Sequence, residues 1–350
     1  MIESSGKTGI KGRGNYTWLY YPKKPYALKF ENKASVLGMP AHKRWTLLAL
    51  WTGVIGTPIM FEASRRAPAI EWTPRGRYVE VVLNGKYQGL YYLCEQTKID
   101  KNRVNIQSLK ATDTEYPNVS GGYLLEYDNQ FDEKYQFYSQ GFNLPVMLKS
   151  PDDNVPLEQY EYIRNYINEL EVELLKIGTD TESHYADYID IDNFVDYWIT
   201  LEVLWNYEAR KPRSLKMYKG RDGVDSPPNT VCKLKAGPLW DLEVLYCDQS
   251  FNTKDAHYYG ALFKDSLFIE RVKQRWPKFR DDLLGLTNNK SIVEYLNDVV
   301  DEIEFSSKRN LDYWGDTYFS FDTDVETVRN GFDAKIKWMD AEINKLEVIQ

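Results

Sequence analysis

The stretch Lys233-Leu-Lys-Ala-Gly-Pro-Leu-Trp-Asp-Leu-Glu-Val-Leu245 joins two apolar runs through a Gly-Pro corner and carries two acids in the second run. This pattern predicts a strand that enters the corner and another strand that leaves it. Asp241 and Glu243 would share one face of the second strand, because side chains two residues apart on a strand point the same way. Neighbouring carboxylates in apolar surroundings repel each other unless a cation lies between them, which indicates a Mg²⁺ or Mn²⁺ site. The alternative is a pair of partly exposed acids on an edge strand.

The composition is that of an ordinary soluble globular protein. Hydrophobic residues make up 43% and charged residues 27% of the 350 residues, enough for one large domain or for two lobes around a cleft. The formal net charge of −8 disfavours general nucleic-acid binding, which needs clustered Lys and Arg. The cysteines lack disulfide or zinc-ligand spacing, and no apolar run is long enough to predict a membrane span.

The first informative segment is glycine-rich and basic. Gly9, Gly12 and Gly14 alternate with Lys11 and Arg13, and a pair of lysines, Lys23-Lys24, follows. Glycines permit a close backbone approach and the cations supply positive charge, so the segment is a candidate phosphate cradle. The alternative is a solvated basic hairpin. It is not a Walker loop, because the Gly-Lys-Ser/Thr ending is missing from the required frame.

The first half is predicted to be rich in strands and the second half in helices. Asn84-Gly85 separates two alternating runs, Arg77 to Leu83 and Tyr87 to Cys94, and therefore predicts a hairpin. Two further strands are predicted, at Gly121 to Tyr127 and near Val146 to Lys149. Helices are predicted over about 54–66, 157–174 and 191–205, the last with Asp192 or Asn193 as its cap. A strand is predicted at 215–219, and further helices are predicted within 257–284, 291–305 and 324–348.

Two of these helices carry polar side chains of interest. The helix over 54–66 bears Glu62, which is either a partner for a neighbouring lysine or an ordinary surface acid. The helix over 191–205 brings Glu202, Asn206 and Glu208 towards the strand at 215–219.

Several short strings, taken in order, resemble the spore-coat protein H (CotH) kinase family. They are Arg13-Gly-Asn-Tyr-Thr-Trp18, Lys23-Lys-Pro-Tyr-Ala-Leu-Lys29, Leu37-Gly-Met-Pro40, Pro74-Arg75, Leu83-Asn-Gly-Lys-Tyr-Gln-Gly-Leu-Tyr91, Glu95-Gln96, Arg103-Val-Asn-Ile106, Gly121-Gly-Tyr-Leu-Leu-Glu126 and Gly237-Pro-Leu-Trp-Asp241. The resemblance runs from about residue 9 to residue 250. It implies an α+β, two-lobed, atypical protein-kinase-like fold. The whole chain, 1–350, would be one domain, with a β-rich lobe over about 1–150 and a mainly helical lobe over 151–350.

The resemblance also implies roles for individual residues. Members of the family transfer the γ-phosphate of ATP to serines of coat or secreted proteins, so ATP and Mg²⁺ or Mn²⁺ are the expected cofactors and a coat or surface protein is the expected partner. The implied metal ligands are Asp241 and Glu243. The implied catalytic residues are Asn206, Glu208 and Asp241. The implied nucleotide-binding residues are Arg13, Lys23, Lys24, Glu62 and Glu95. The family also suggests a spore coat or cell-surface location.

The sequence departs from the family where charge is expected. The family usually has Asp-Lys and then Arg-Asn in the region that here reads Trp51 to Pro58, which carries no charge. Glu243 and Glu208 each stand where the family usually has Asp, and Cys247-Asp248 replaces Gly-Asn. Loss of an Arg at a phosphate site removes a bidentate charged contact.

Three functions are therefore expected. The first is an atypical metal-dependent protein serine kinase, weakened by these changes. The second is an inactive pseudokinase that acts as a binding or structural module of a spore-coat or cell-surface assembly. The third is a surface module that binds glycan or peptide through aromatic grooves.

Overall fold

The computed structural model describes residues 5–287, 289–315 and 321–347, which form a mixed α+β fold. Two five-stranded antiparallel sheets are accompanied by helices that mostly follow them in the chain. The strands are β1 (Thr8–Gly12), β2 (Tyr26–Val36), β3 (Met39–Leu48), β4 (Gly76–Leu83), β5 (Lys86–Glu95), β6 (Tyr123–Tyr127), β7 (Gln136–Tyr138), β8 (Pro145–Ser150), β9 (Leu215–Lys219) and β10 (Leu234–Ala236). The helices are α1 (Tyr16–Tyr20), α2 (Gly56–Arg66), α3 (Leu157–Lys176), α4 (Ile191–Val203), α5 (His257–Leu262), α6 (Ser266–Leu283), α7 (Ile292–Trp314) and α8 (Phe321–Asn344).

The first sheet has the strand order β1-β2-β3-β5-β4. Its β4–β5 hairpin confirms the prediction from Asn84-Gly85, and both turn residues have positive φ, 52° and 74°. This left-handed backbone is why Asn and Gly stand at the turn, since larger side chains are strained there. Trp45 and Tyr91 are fully buried in a small apolar cluster on this sheet.

The second sheet has the order β10-β9-β6-β8-β7. The predicted strands at 121–127, 146–149 and 215–219 are confirmed, because β6 pairs with both β8 and β9. The sheet combines strands from before and after residue 150, so the expected boundary between the two halves falls within it.

The helices pack around one extended apolar cluster, which includes Trp198 of α4 and Trp276 of α6. Both helices predicted over 157–174 and 191–205 are confirmed as α3 and α4. The cap of α4 is Asp190, not Asp192 or Asn193, because the Asp190 carboxylate accepts the backbone N–H of Asn193 at 3.1 Å. No helix of the described residues is both long and apolar enough to cross a membrane.

The stretch around Asp241 is the main departure from the predicted fold. Strand β10 ends at Ala236, and 237–248 is irregular, so the second strand predicted there is wrong. Pro238 has no N–H with which to continue the ladder, and Asp241 has φ +66°, outside the extended region. Asp241 and Glu243 therefore do not share the face of a strand.

A short uncharged segment, Trp51 to Thr57, packs directly on the backbone of this irregular stretch. The Thr57 hydroxyl donates to the Leu242 carbonyl at 2.9 Å, and the Thr52 backbone N–H donates to the Glu243 carboxylate at 3.1 Å. A Cβ at Gly53 or Gly56 would lie 2.1 or 2.2 Å from the Glu243 carbonyl oxygen. Only glycine permits so close an approach at these two positions.

Gly56→Ala tests this close contact. Gly56 is the first residue of α2, so helix propensity alone would make alanine about 1 kcal/mol more stable. We expect instead a loss of roughly 1–3 kcal/mol in the free energy of unfolding, because the new methyl group collides with backbone. Urea denaturation measures the difference. Gly9→Ala is the control, since its Cβ would meet nothing closer than 3.7 Å. A stabilised Gly56→Ala variant would contradict the packing described.

Candidate active site

Two carboxylates and a hydroxyl meet at one end of the second sheet. Asp128 follows β6, Ser214 precedes β9 and Asp241 follows β10, so antiparallel pairing brings the three together. The Ser214 backbone N–H donates to Asp128 Oδ2 at 2.9 Å. The Ser214 hydroxyl lies 3.1 Å from Asp241 Oδ2 and 3.4 Å from Asp128 Oδ2. One hydroxyl hydrogen cannot donate to both acids at once, so each keeps oxygen lone pairs for a further partner.

Glu208 is a third acid at this site. It lies in a 3₁₀ turn, Tyr207–Arg210, whose cap is Asn206: the Asn206 side chain accepts the Glu208 backbone N–H at 3.1 Å. Arg213 donates to the Glu208 carboxylate at 2.9 Å. Burial raises the pKa of Glu208 and of Asp128, and the negative charge of Asp241 raises both further. A cation beside these acids would relieve this repulsion.

The Trp240 ring contacts two cationic side chains next to Asp241. The Arg13 guanidinium lies 5.7 Å and the Lys216 ammonium 4.7 Å from the centre of its ring, within cation–π range. Lys216 is buried on β9 and also contacts the Glu126 carboxylate of β6 at 3.1 Å. Burial lowers the pKa of Lys216, although Glu126 and Asp241 favour its charged form. The predicted candidate Arg13 therefore shares this site with Asp241.

Glu243 is held by Thr52, in the segment that precedes α2. Its side chain accepts hydrogen bonds from both the backbone N–H and the hydroxyl of Thr52. Burial raises its pKa, and the charge of Asp241 raises it further. Both hydrogen bonds go to Oε2, so Oε1 keeps no hydrogen-bond partner among the described residues, and the pairing of Asp241 with Glu243 as metal ligands stays a prediction.

The paired lysines have internal partners. The Lys23 ammonium donates to the Leu90 carbonyl at 2.5 Å and to Asn310 Oδ1 at 2.8 Å. Burial lowers the pKa of Lys23 to about 7, and the charge of Glu243 opposes that shift. Lys24 donates to the Trp18 carbonyl at 2.5 Å, which places its ammonium against the turn around α1.

Glu62 and Glu95 pair with arginines. Glu62 accepts from Arg65 and Arg66 along its own helix, at 3.1 and 2.8 Å. The structure therefore shows arginine partners for Glu62 in place of the expected lysine. Glu95 is fully buried and accepts three hydrogen bonds from Arg75: two from the guanidinium, at 2.9 and 3.1 Å, and one from the backbone N–H at 2.9 Å.

Asp128, Ser214 and Lys216 were not predicted as site residues, and the contacts of Trp240 with Arg13 and Lys216 were not predicted either. Asp128 directly follows the confirmed strand ending at Tyr127, and Ser214 directly precedes the confirmed strand beginning at Leu215. A polar residue next to each of two adjacent strands was the available signal. It could be used only once the pairing of β6 with β9 was known.

The oxygen atoms present fit a hard divalent cation that also binds phosphate. Among the described residues, no group of three or more His, Cys, Asp or Glu side chains is arranged to hold a metal ion. Mg²⁺, however, is commonly bound by one or two carboxylates, with substrate phosphates and waters completing the shell. Asp128 and Asp241 provide such a carboxylate pair.

The protein-family model for CotH kinase protein matches residues 10–339, which is nearly the whole chain. The chain belongs to the CotH kinase family. Membership indicates a kinase-like function, and ATP with a divalent metal is the cofactor pair that such families generally use. No curated protein matches this sequence. In this CotH-family chain, the string Gly237-Pro-Leu-Trp-Asp241 leads into the acidic group described above.

A buried acid behind the site gives a pH test. Asp324, in the first turn of α8, is 6% exposed, and one of its carboxylate oxygens has no hydrogen-bond partner. Burial raises its pKa from 3.8 to about 7; a backbone hydrogen bond from Val54 opposes the shift and the charge of Glu243 adds to it. Between about pH 4 and pH 7 the folded chain thus keeps a proton that the unfolded chain has lost. Stability should fall as the pH rises through this window.

Asp324→Asn removes that titration while keeping an acceptor for Val54. We expect the variant to gain roughly 1–2 kcal/mol in unfolding free energy at pH 8, because it avoids the buried charge, and to match the parent near pH 4. Chemical denaturation across the pH range measures this. Asp322→Asn, an exposed position on the same helix, is the control. Equal effects of Asp324→Asn at both pH values would contradict the assignment.

Proposed function

We propose that this chain is an atypical kinase of the CotH type that transfers the γ-phosphate of ATP to serine hydroxyls of a coat or surface protein. The whole chain would be one kinase-like domain, with its cleft between the first sheet and the helical part. The observation that carries the proposal is the Asp128–Ser214–Asp241 group beside Arg13 and Trp240. Phosphoryl transfer depends mainly on positioning and charge stabilisation, which such a group can provide.

Asp241 and Asp128 would hold the Mg²⁺ or Mn²⁺ ion. When bound, the ion neutralises phosphate charge and orients the γ-phosphate. Glu243 is proposed only as a support: hydrogen-bonded to Thr52, it holds the segment that follows Asp241. Ser214 would keep the two metal-binding carboxylates apart at a fixed spacing.

The remaining residues would position nucleotide and substrate. Arg13 would donate to the phosphates from a turn held by its own backbone N–H, which binds the Pro25 carbonyl at 3.2 Å. Glu208 would orient the serine hydroxyl and accept its proton, because a raised pKa suits a proton acceptor near neutral pH. Asn206 would position Glu208 by capping its turn. Lys23, Lys24, Glu62 and Glu95 would support the cleft through the protein contacts described above.

The second candidate is a pseudokinase that binds a partner in a spore-coat or cell-surface assembly without turnover. One observation favours it: the uncharged segment 51–57 fills the space beside Glu243 with backbone and threonine contacts. No charged side chain of that segment can then stabilise the transferring phosphate.

Nucleotide binding is tested by thermal unfolding with ATP, with and without Mg²⁺ or Mn²⁺. A ligand at about 100 times its Kd stabilises the folded state by about 2.7 kcal/mol, which gives a visible shift. We expect a metal-dependent shift that Asp241→Asn abolishes. Asp248→Asn, an exposed acid on the same segment, should keep it. The absence of any shift with either metal would contradict nucleotide binding.

Turnover separates the two candidates. The kinase proposal predicts that ³²P from [γ-³²P]ATP appears on a serine-containing acceptor protein, and that both Asp241→Asn and Glu208→Gln reduce the rate by at least about tenfold, or ~1.4 kcal/mol in the barrier. Metal-dependent binding without any transfer would instead support the pseudokinase.

A further inference from the structure

A cavity of about 770 Å³ opens between α2, α4 and α6, and none of the residues lining it belongs to the acidic group around Asp241. Its volume is within the range of small-molecule sites. Phe279, which is buried, and Pro68 provide apolar surface, while most of the other lining side chains are charged. The predicted candidate Glu62 is one of them.

Ion pairs hold the charged walls in place. On α2, Glu62 binds Arg65 and Arg66 together. On α6, Arg275 makes two 2.6 Å hydrogen bonds to Asp196 of α4. A site whose side chains are already fixed loses less conformational entropy when it binds a ligand.

The lining retains unused positive charge and unused donors. The cavity is lined by four cationic side chains, Arg65, Arg66, Arg275 and Lys278, and by three acids. Arg65 and Arg275 each use three of their five N–H groups in hydrogen bonds to protein, so two remain on each. Lys278 forms no hydrogen bond or ion pair with any residue that the structure describes.

Arg275 and Lys278 are three residues apart on α6 and so lie on neighbouring positions of one helix surface. Arg65 faces them from α2 across the cavity. Two of the acids that line the same walls, Glu62 and Asp196, bind these arginines. Asp282 accepts from Thr287 and Asn289 through Oδ1, whereas its buried Oδ2 has no hydrogen bond and lies 3.9 Å from Arg66 Nε. An incoming anion would therefore find free donors on three basic side chains.

We propose that this cavity is a second ligand site, separate from the Asp241 group, and that it binds a small organic anion bearing phosphate or carboxylate groups. Arg65, Arg275 and Lys278 would contact the anionic group, and Phe279 with Pro68 would contact the rest of the molecule. This proposal is independent of whether the chain is an active kinase.

Isothermal titration of the full chain with sodium pyrophosphate and with sodium citrate tests the site. Both titrations are made in buffer freed of metal ions on a chelating resin, at matched ionic strength, because surface charge effects depend on salt. We expect saturable binding of at least one anion. Binding of pyrophosphate alone indicates phosphate chemistry, binding of citrate alone indicates carboxylate chemistry, and binding of both indicates a general anion site.

Variants locate the binding. Lys278→Glu should weaken it by at least about tenfold, or ~1.4 kcal/mol, and Arg65→Gln should also weaken it. Lys273→Glu makes the same charge change on α6 outside the lining and should leave the affinity unchanged, as should Asp241→Asn. The proposal is overturned if neither anion binds, if Lys273→Glu weakens binding as much as Lys278→Glu, or if only Asp241→Asn changes the affinity.

Discussion

The position of Asp241 depends on the contact between segment 51–57 and the backbone of Leu242 and Glu243. Two glycines, Gly53 and Gly56, let the backbones meet, and two threonines, Thr52 and Thr57, hydrogen-bond across the contact. This contact joins the end of the first sheet and the start of α2 to the segment that follows the second sheet. Within this segment Glu243 hydrogen-bonds to Thr52, and Asp241 Oδ2 lies 3.1 Å from the Ser214 hydroxyl.

That contact also accounts for the absence of charged side chains at two positions of segment 51–57. At Gly53 and Gly56 even a single methyl group would collide with the Glu243 carbonyl, so a charged side chain has no room at either position. The absence of charge from this segment and its close packing on Glu243 are therefore two aspects of one local arrangement. In our proposal Arg13 takes the phosphate-facing role, and Lys216 with Trp240 maintains positive charge next to Asp241.

Much of the fold could be predicted from the sequence because its signals are local. Asn84-Gly85 specifies a hairpin turn, and the apolar spacing along α3 specifies a buried helix face. The strand predicted around Asp241 and Glu243 was wrong, because the alternation of acids with apolar residues is also compatible with an irregular segment held by distant contacts. Thr52, which donates two hydrogen bonds to the Glu243 carboxylate, is 191 residues away in the chain. Asp128 and Ser214 become neighbours only through pairing between strands 86 residues apart.

The most direct test of this account is the position of a metal ion in the nucleotide complex. Crystals grown with ATP and Mn²⁺ would give an anomalous difference peak at the ion. The account predicts a peak in contact with Asp241 on the side of Asp128, with Glu243 still hydrogen-bonded to Thr52. A peak coordinated by Glu243, or bound ATP with no metal beside Asp241, would contradict it.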